Sequence, residues 1–240
     1  MKEKIKFMKY YLFNYGVNNV GTYPQTRHYT AFRDYNENAE TSMLKLRRDR
    51  FPDVKPDLRF ILQKGANLSN FVAPSNMGRS SGIMMDKKMY ALFSKYKLYN
   101  ARFYEASVIY RATKYDYYWL HVVFDRYDPA VDFSKTTYIE VPNNQFNGIG
   151  VKTREGCPEL IFKNIDDYLE AASTNFNLSI NKLILTSKFL ENEYDFFAFT
   201  ACFLSPRYFI SERLYNDLLS AQPTGCSFDV QNVLEEYSYP

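Results

Sequence analysis

With 240 residues, 46% apolar and 24% charged, the chain is long enough to bury a full core and too apolar for a disordered segment. A formal charge of +3 argues against a dedicated nucleic-acid binder, and no stretch approaches the roughly 18 consecutive apolar residues of a membrane span. The distinctive quantity is the 18% aromatic content, 22 Tyr and 20 Phe, which predicts strands whose rings pack inward while hydroxyls reach water.

In chain order, Lys6 to Tyr15 is aromatic-rich and predicts an opening strand, with Met8 a second candidate start and no secretory h-region before it. Gly16 to Glu40 is polar and irregular. Ser42 to Arg50 predicts a short helix before Pro52, and Leu58 to Leu62 a strand. Ala66 to Val72 predicts a brief helix or turn. Strands follow over Ala101–Tyr110 and Tyr117–Phe124, joined by a loop over 111–116, and again from Thr136 to Val141. After a long loop from Pro142 to Pro158 come a strand at Leu160–Phe162 and a helix from Asp166 or Asp167 to Ala172. Strands at Lys182–Thr186 and Phe196–Leu204 complete the series before a polar tail.

Two segments read as one unit written twice. Ile83-Met84-Met85-Asp86-Lys87-Lys88-Met89-Tyr90 lies 125 residues before Tyr208-Phe209-Ile210-Ser211-Glu212-Arg213-Leu214-Tyr215. Without a gap, Tyr90, Phe103 and Val108 fall on the identical residues Tyr215, Phe228 and Val233. Each copy predicts an apolar strand, a capping residue (Asp86 or Ser211), an amphipathic helix and a second strand. The expected fold class is therefore α+β: mixed or antiparallel sheets, a few short helices, and a duplicated strand–helix–strand unit at 83–108 and 208–233. The expected division is an N-terminal half, 1–125, and a C-terminal half, 126–240, packed as one unit.

The search for chemistry yields no catalytic set. Of two histidines, His28 sits in a polar loop and His121 on a strand face with Tyr117, Trp119 and Val123, where a packed, hydrogen-bonded role is expected. Cys157, Cys202 and Cys226 are far apart, so neither a zinc ribbon nor a redox pair is available, and free thiols in a reducing cytosol are expected. Asp125, Asp128 and Asp132 lack calcium-loop spacing, and Gly148-Ile149-Gly150 is only a fragment of a phosphate-binding fingerprint. The expectation is a protein without catalytic residues, metal or other cofactor. The basic runs Lys45-Leu46-Arg47-Arg48 and Lys87-Lys88 read as solvated faces. For binding, Tyr115, Asp116, Tyr117 and Trp119 form the candidate protein contact, since Tyr and Trp offer large area at modest entropic cost; the competing assignment is core packing.

The carboxy-terminal half carries a resemblance. Asp132-Phe133-Ser134-Lys135-Thr136 follows a Tyr-Trp-Leu strand. Phe203 to Leu214 contains Ile210-Ser211-Glu212-Arg213-Leu214, and Thr224-Gly225-Cys226-Ser227-Phe228 follows. This is similar to the bacterial immunity proteins of polymorphic-toxin systems, specifically the eleventh family of that naming scheme, over about residues 115 to 233. Met8-Lys9-Tyr10-Tyr11-Leu12 is similar to the family's opening. Cys226 departs from the larger hydrophobic residue usual there. The resemblance implies a cytoplasmic protein that binds a cognate toxin and neutralises it by occlusion, with no catalytic residue carried over. The alternative is an enzyme of unrecognised type with a carboxylate/His site. Membrane association is not expected, and nucleic acid is not the expected partner.

Overall fold

The computed structural model describes residues 9–16, 20–27, 32–74, 81–124, 129–140, 157–175, 178–199 and 207–229. In chain order the elements are β1 (Tyr10–Tyr15), β2 (Thr26–Arg27), β3 (Arg59–Leu62), β4 (Phe71–Val72), β5 (Ser81–Asp86), α1 (Lys87–Phe93), β6 (Ala101–Tyr110) and β7 (Thr113–Val122). Then come β8 (Thr137–Glu140), β9 (Glu159–Ile161), α2 (Ile165–Thr174), β10 (Leu178–Lys182), α3 (Ser187–Leu190), β11 (Phe196–Phe199), β12 (Arg207–Ser211), α4 (Glu212–Ala221) and β13 (Cys226–Asp229). The class is α+β, built on mixed and antiparallel sheets.

The duplication is structural. One sheet has the order β2-β3-β6-β7-β5-β4 and another the order β11-β12-β1-β13, so β4-β5-β7-β6 and β11-β12-β1-β13 are the same arrangement. In each, a strand runs straight into a helix and returns as a parallel strand two places away. A third strand, antiparallel to both, fills the gap. Register agrees as well as order. Asp86 lies opposite Tyr117 and Phe103 opposite Leu120; their counterparts Ser211 and Phe228 lie opposite Tyr10 and Phe13. The central strand is β7 in the first unit, but in the second it is β1, taken from the other end of the chain. The packing therefore crosses the expected midpoint at 125.

Equivalent side chains do equivalent work. Tyr90 stacks on Tyr118 at 3.8 Å and meets Phe103 edge-on at 4.9 Å. Tyr215 stacks on Tyr11 at 3.9 Å and meets Phe228 edge-on at 5.4 Å. The caps match: Asp86 accepts from the Met89 amide at 2.8 Å, and Ser211 from the Leu214 amide at 3.3 Å, each satisfying a donor that the first helical turn leaves open. After the helix, Asn100 and its counterpart Gly225 both take positive φ, 46° and 80°. Asn and Gly are the residue types that enter this region most readily. The units also touch reciprocally. The Phe71 amide donates to the Thr224 carbonyl at 3.1 Å, while the Tyr99 amide donates to the carbonyl of Phe196 at 2.8 Å. Phe196 is the counterpart of Phe71, and Tyr99 that of Thr224, so the same two positions meet in both contacts, with donor and acceptor exchanged between them.

Strand alternation distributes the rings among three cores. Tyr11, Phe13, Phe196, Ala198 and Ile210 face one core shared with Met85, Leu120 and the helix residues Met89, Phe93, Leu214 and Leu218. From the same strands, Tyr10, Leu12, Phe197, Phe199 and Phe209 face a second core under the sheet β10-β8-β9 and α2. The outer face of the first unit, with Phe60, Met84, Val108, Tyr117 and Trp119, forms the third core against Met43 and Leu46.

Several expectations are corrected. Phe71–Val72 is a strand rather than part of a turn, because it pairs with Met84 and Met85. Ser42 to Arg50 forms only one 3-10 turn, Met43–Lys45. The β6–β7 turn is just Arg111-Ala112, both with positive φ, so β7 begins at Thr113 rather than Tyr117 and ends at Val122, while β6 spans Ala101–Tyr110 as expected. The strand predicted at Lys182–Thr186 lies earlier, where Leu178 to Lys182 pairs with β8. Helix α2 begins after Asn164, whose side chain accepts from the Asp167 amide at 3.0 Å. Met8, His28, Asp125, Asp128, Gly148 to Gly150, Cys202, Phe203 to Pro206 and Val233 lie outside the described residues.

Candidate functional site

Tyr115, Tyr117 and Trp119 alternate onto one face of β7, and that face is the third core. Trp119 is 1% exposed and Tyr117 is buried, its hydroxyl donating to the Ser69 carbonyl at 2.7 Å. Neither is a contact surface, which corrects the binding assignment. Their rings are needed to fill the space between the sheet and the segment from Met43 to Leu46. Tyr115 is half-buried at the edge of this core, and Asp116 points to solvent from the opposite face.

What covers this core is more informative. Ser42 bridges to Asp57, and the Asp57 amide donates to the Thr41 carbonyl at 2.7 Å, so the segment between them closes on itself as a compact loop. Tyr35 clasps one end, its hydroxyl accepting from the Met43 amide at 2.7 Å. Met43 and Leu46 plug into the core beside Trp119. Beyond Leu46 the chain is pinned twice to the end of β7. The Arg47 carbonyl lies 2.7 Å from His121 Nε2, and the Arg48 carbonyl accepts from the Phe124 amide at 2.7 Å.

His121 is 0% exposed, and burial, with the nearby Arg102 cation, lowers its pKa although the Arg47 carbonyl acts the other way. It is therefore neutral near pH 7. A carbonyl can only accept, so Nε2 carries the proton and Nδ1 is a bare acceptor. His121 Nδ1, Trp119 Nε1 and the Tyr104 hydroxyl are buried without hydrogen-bond partners among the described residues. Trp119 and Tyr104 are cross-strand neighbours, and the Tyr104 ring lies 6.1 Å from His121. The indole lies so close over Gly82, opposite His121, that a Cβ there would meet Trp119 carbons at 2.8 and 2.9 Å.

The loop's outer surface is basic and apolar together. Phe51 meets the His121 ring edge-on at 5.6 Å, and the Arg102 guanidinium lies over Phe51 at 4.5 Å. Arg48 and Arg50 are exposed, and neither they nor Arg102 forms an ion pair among the described residues. Arg47 holds Asp49 in a two-pronged pair at 2.8 and 2.7 Å, and Lys55 holds Glu105. Leu44 and Val54, each 36% exposed, flank the charges. The sequence displayed these arginines as an ordinary basic run. The signal that could have distinguished them was Met43 and Leu46 beside them, which anchor the loop.

Other chemistry-bearing groups are engaged in the fold. Asp195 is buried and accepts from Arg213, from the Ser211 hydroxyl at 2.7 Å and from the Lys97 amide at 3.0 Å. Burial pushes its pKa up, but those hydrogen bonds more than reverse this and hold it below the ordinary value. Burial raises the Cys226 thiol to about 12. Asp132 accepts from Ser134 at 2.6 Å and pairs with Lys135 at 3.0 Å. No helix of the described residues is long and apolar enough to cross a membrane. Among the described residues no group of three or more His, Cys, Asp or Glu is placed to hold a metal ion. No family model and no curated protein matches the sequence.

Proposed function

We propose that this chain is a cytoplasmic binding protein that neutralises a cognate bacterial toxin by covering it. The resemblance of Ile210 to Leu214 and Thr224 to Phe228 to an immunity family points to this class. The observation that carries the reading is the arginine-bearing loop, an exposed surface held rigid by His121 and Phe124. Rigid Arg and aromatic side chains lose little entropy on docking and recur as interface anchors. By contrast, His121, Asp195 and Cys226 are committed to internal packing and hydrogen bonds.

The test is to identify a toxin gene beside this one and to co-express the two. Rescue of growth and a stable complex on size-exclusion chromatography are expected; no rescue and no complex would end the reading. A second reading, an enzyme of unrecognised type, is favoured by one observation, the three unpartnered polar atoms of Tyr104, Trp119 and His121. If that reading held, Tyr104→Phe, which leaves the contact between His121 and the Arg47 carbonyl in place, would abolish a turnover that the wild type shows with no toxin present.

A further inference from the structure

We infer that the loop from Ser42 to Asp57, together with Arg102, is the docking surface, and that its occupant is a protein presenting a cluster of carboxylates. This rests on the reading of the chain as a binder and names the surface and the partner chemistry. Arg48, Arg50 and Arg102 project from one pinned loop and the neighbouring strand, without ion-pair partners among the described residues. Guanidinium groups recognise carboxylates through paired N–H donors, and the loop already holds one this way, since Arg47 grips Asp49. Phe51, Leu44 and Val54 supply the apolar contact that interfaces combine with arginine.

One feature favours an acidic protein over a nucleic acid. The surrounding positions are aliphatic as well as aromatic, suiting side-chain contact better than base stacking. Preorganisation also distinguishes this surface from the flexible basic tails that bind by charge alone. Two hydrogen bonds of 2.7 Å to its carbonyls, one from the His121 side chain and one from the Phe124 amide, and two buried side chains hold it before any partner arrives.

The experiment uses the full chain, the triple variant Arg48→Glu/Arg50→Glu/Arg102→Glu, and a control, Lys87→Glu/Lys95→Glu, on exposed positions at α1 and just beyond its end. Poly-L-glutamate and a short DNA duplex serve as probes, followed by fluorescence anisotropy at low and physiological salt. The expected result is that poly-L-glutamate binding falls about 100-fold in the triple variant, stays unchanged in the control and weakens with salt. Equal binding by wild type and triple variant would overturn the assignment of the surface. Tighter binding of the duplex than of poly-L-glutamate, lost in the triple variant, would overturn the choice of occupant. If poly-L-glutamate behaves as expected and the neighbouring toxin still does not bind, the surface stands and the immunity reading fails. Matching thermal melts for the variants exclude unfolding as the cause.

Discussion

The two units share one topology but write its central polar contact in opposite senses. In the first, Asn70 donates to the carboxylate of the cap, Asp86, at 2.7 Å. In the second, the cap Ser211 donates to the carboxylate of Asp195, the counterpart of Asn70, also at 2.7 Å. The backbone bond beneath is the same in both, Asp86 amide to Asn70 carbonyl and Ser211 amide to Asp195 carbonyl, at 2.9 and 2.8 Å. The fold thus requires one carboxylate and one neutral partner at the strand-to-helix junction, and either residue can carry the charge. Where the charge lies changes what must surround it. Asp195 is fully buried and recruits Arg213. Lys88, the counterpart of Arg213, is left to donate to the Ala221 carbonyl across the unit boundary at 2.9 Å.

The largest break in the comparison is expected at Gly82. Its counterpart is Arg207, which does not share the positive φ of Gly82, 159°. A Cβ at Gly82 would lie 2.1 Å from the Leu120 carbonyl oxygen, a backbone atom that cannot swing away. Gly82→Ala is expected to cost about 3 kcal/mol in urea unfolding, against little for Arg207→Ala.

Next comes the junction itself. Asp195→Asn is expected to cost about 2 kcal/mol, through weakened charged hydrogen bonds rather than the half-exposed ion pair with Arg213. Asn70→Asp sets two carboxylates together and should cost a similar amount, with part recovered in Asn70→Asp/Asp86→Ser. If the double variant is no better than the single, the equivalence of the two junctions is wrong. The pH dependence has a definite sign. The folded pKa of Asp195 lies below the ordinary aspartate value of 3.8, so the unfolded chain takes up the proton first. Its contribution is present above 3.8 and is lost as pH falls through the folded value. Acid titration of stability should therefore be flatter in Asp195→Asn than in wild type.

A smaller effect separates the ring stacks. Tyr90→Leu and Tyr215→Leu should each lose about 1 kcal/mol, and a difference much beyond half of that by thermal denaturation would show that the twin stacks are not energetically equivalent. The last effect, of similar size, concerns connection. The first unit's central strand arrives by a hairpin, the second's from the opposite end of the chain. Because Arg111 and Ala112 both hold positive φ, replacing them with Asn-Gly should gain about 1 kcal/mol in the same assay.

The junctions and stacks also indicate how much was legible. Asp86 and Ser211 announced helix starts by local chemistry alone, and the shared spacing of Tyr90, Phe103, Tyr215 and Phe228 exposed the repeat. The repeat reached further than that spacing revealed, to Phe71 and Phe196, because those strands are short and their identity depends on partners distant in the chain. The β6–β7 hairpin was legible but its turn was read too long, because neither Arg111 nor Ala112 belongs to a usual two-residue hairpin pair. Trp119 was a poor guide to the site, since an aromatic strand reads alike whether its rings face a core or a partner. Arg48 and Arg50 were visible but unremarkable until Met43, Leu46 and His121 fixed the loop beneath them.

Local sequence alone determined the α+β class, the helix caps and the existence of a doubled unit, because capping and strand alternation act within a few residues. Only the tertiary structure decided that β1 completes the second unit, that Tyr117 and Trp119 are core, and that a basic run is a rigid arginine surface. Each of these depends on which distant segments exclude water together, and no local pattern encodes that.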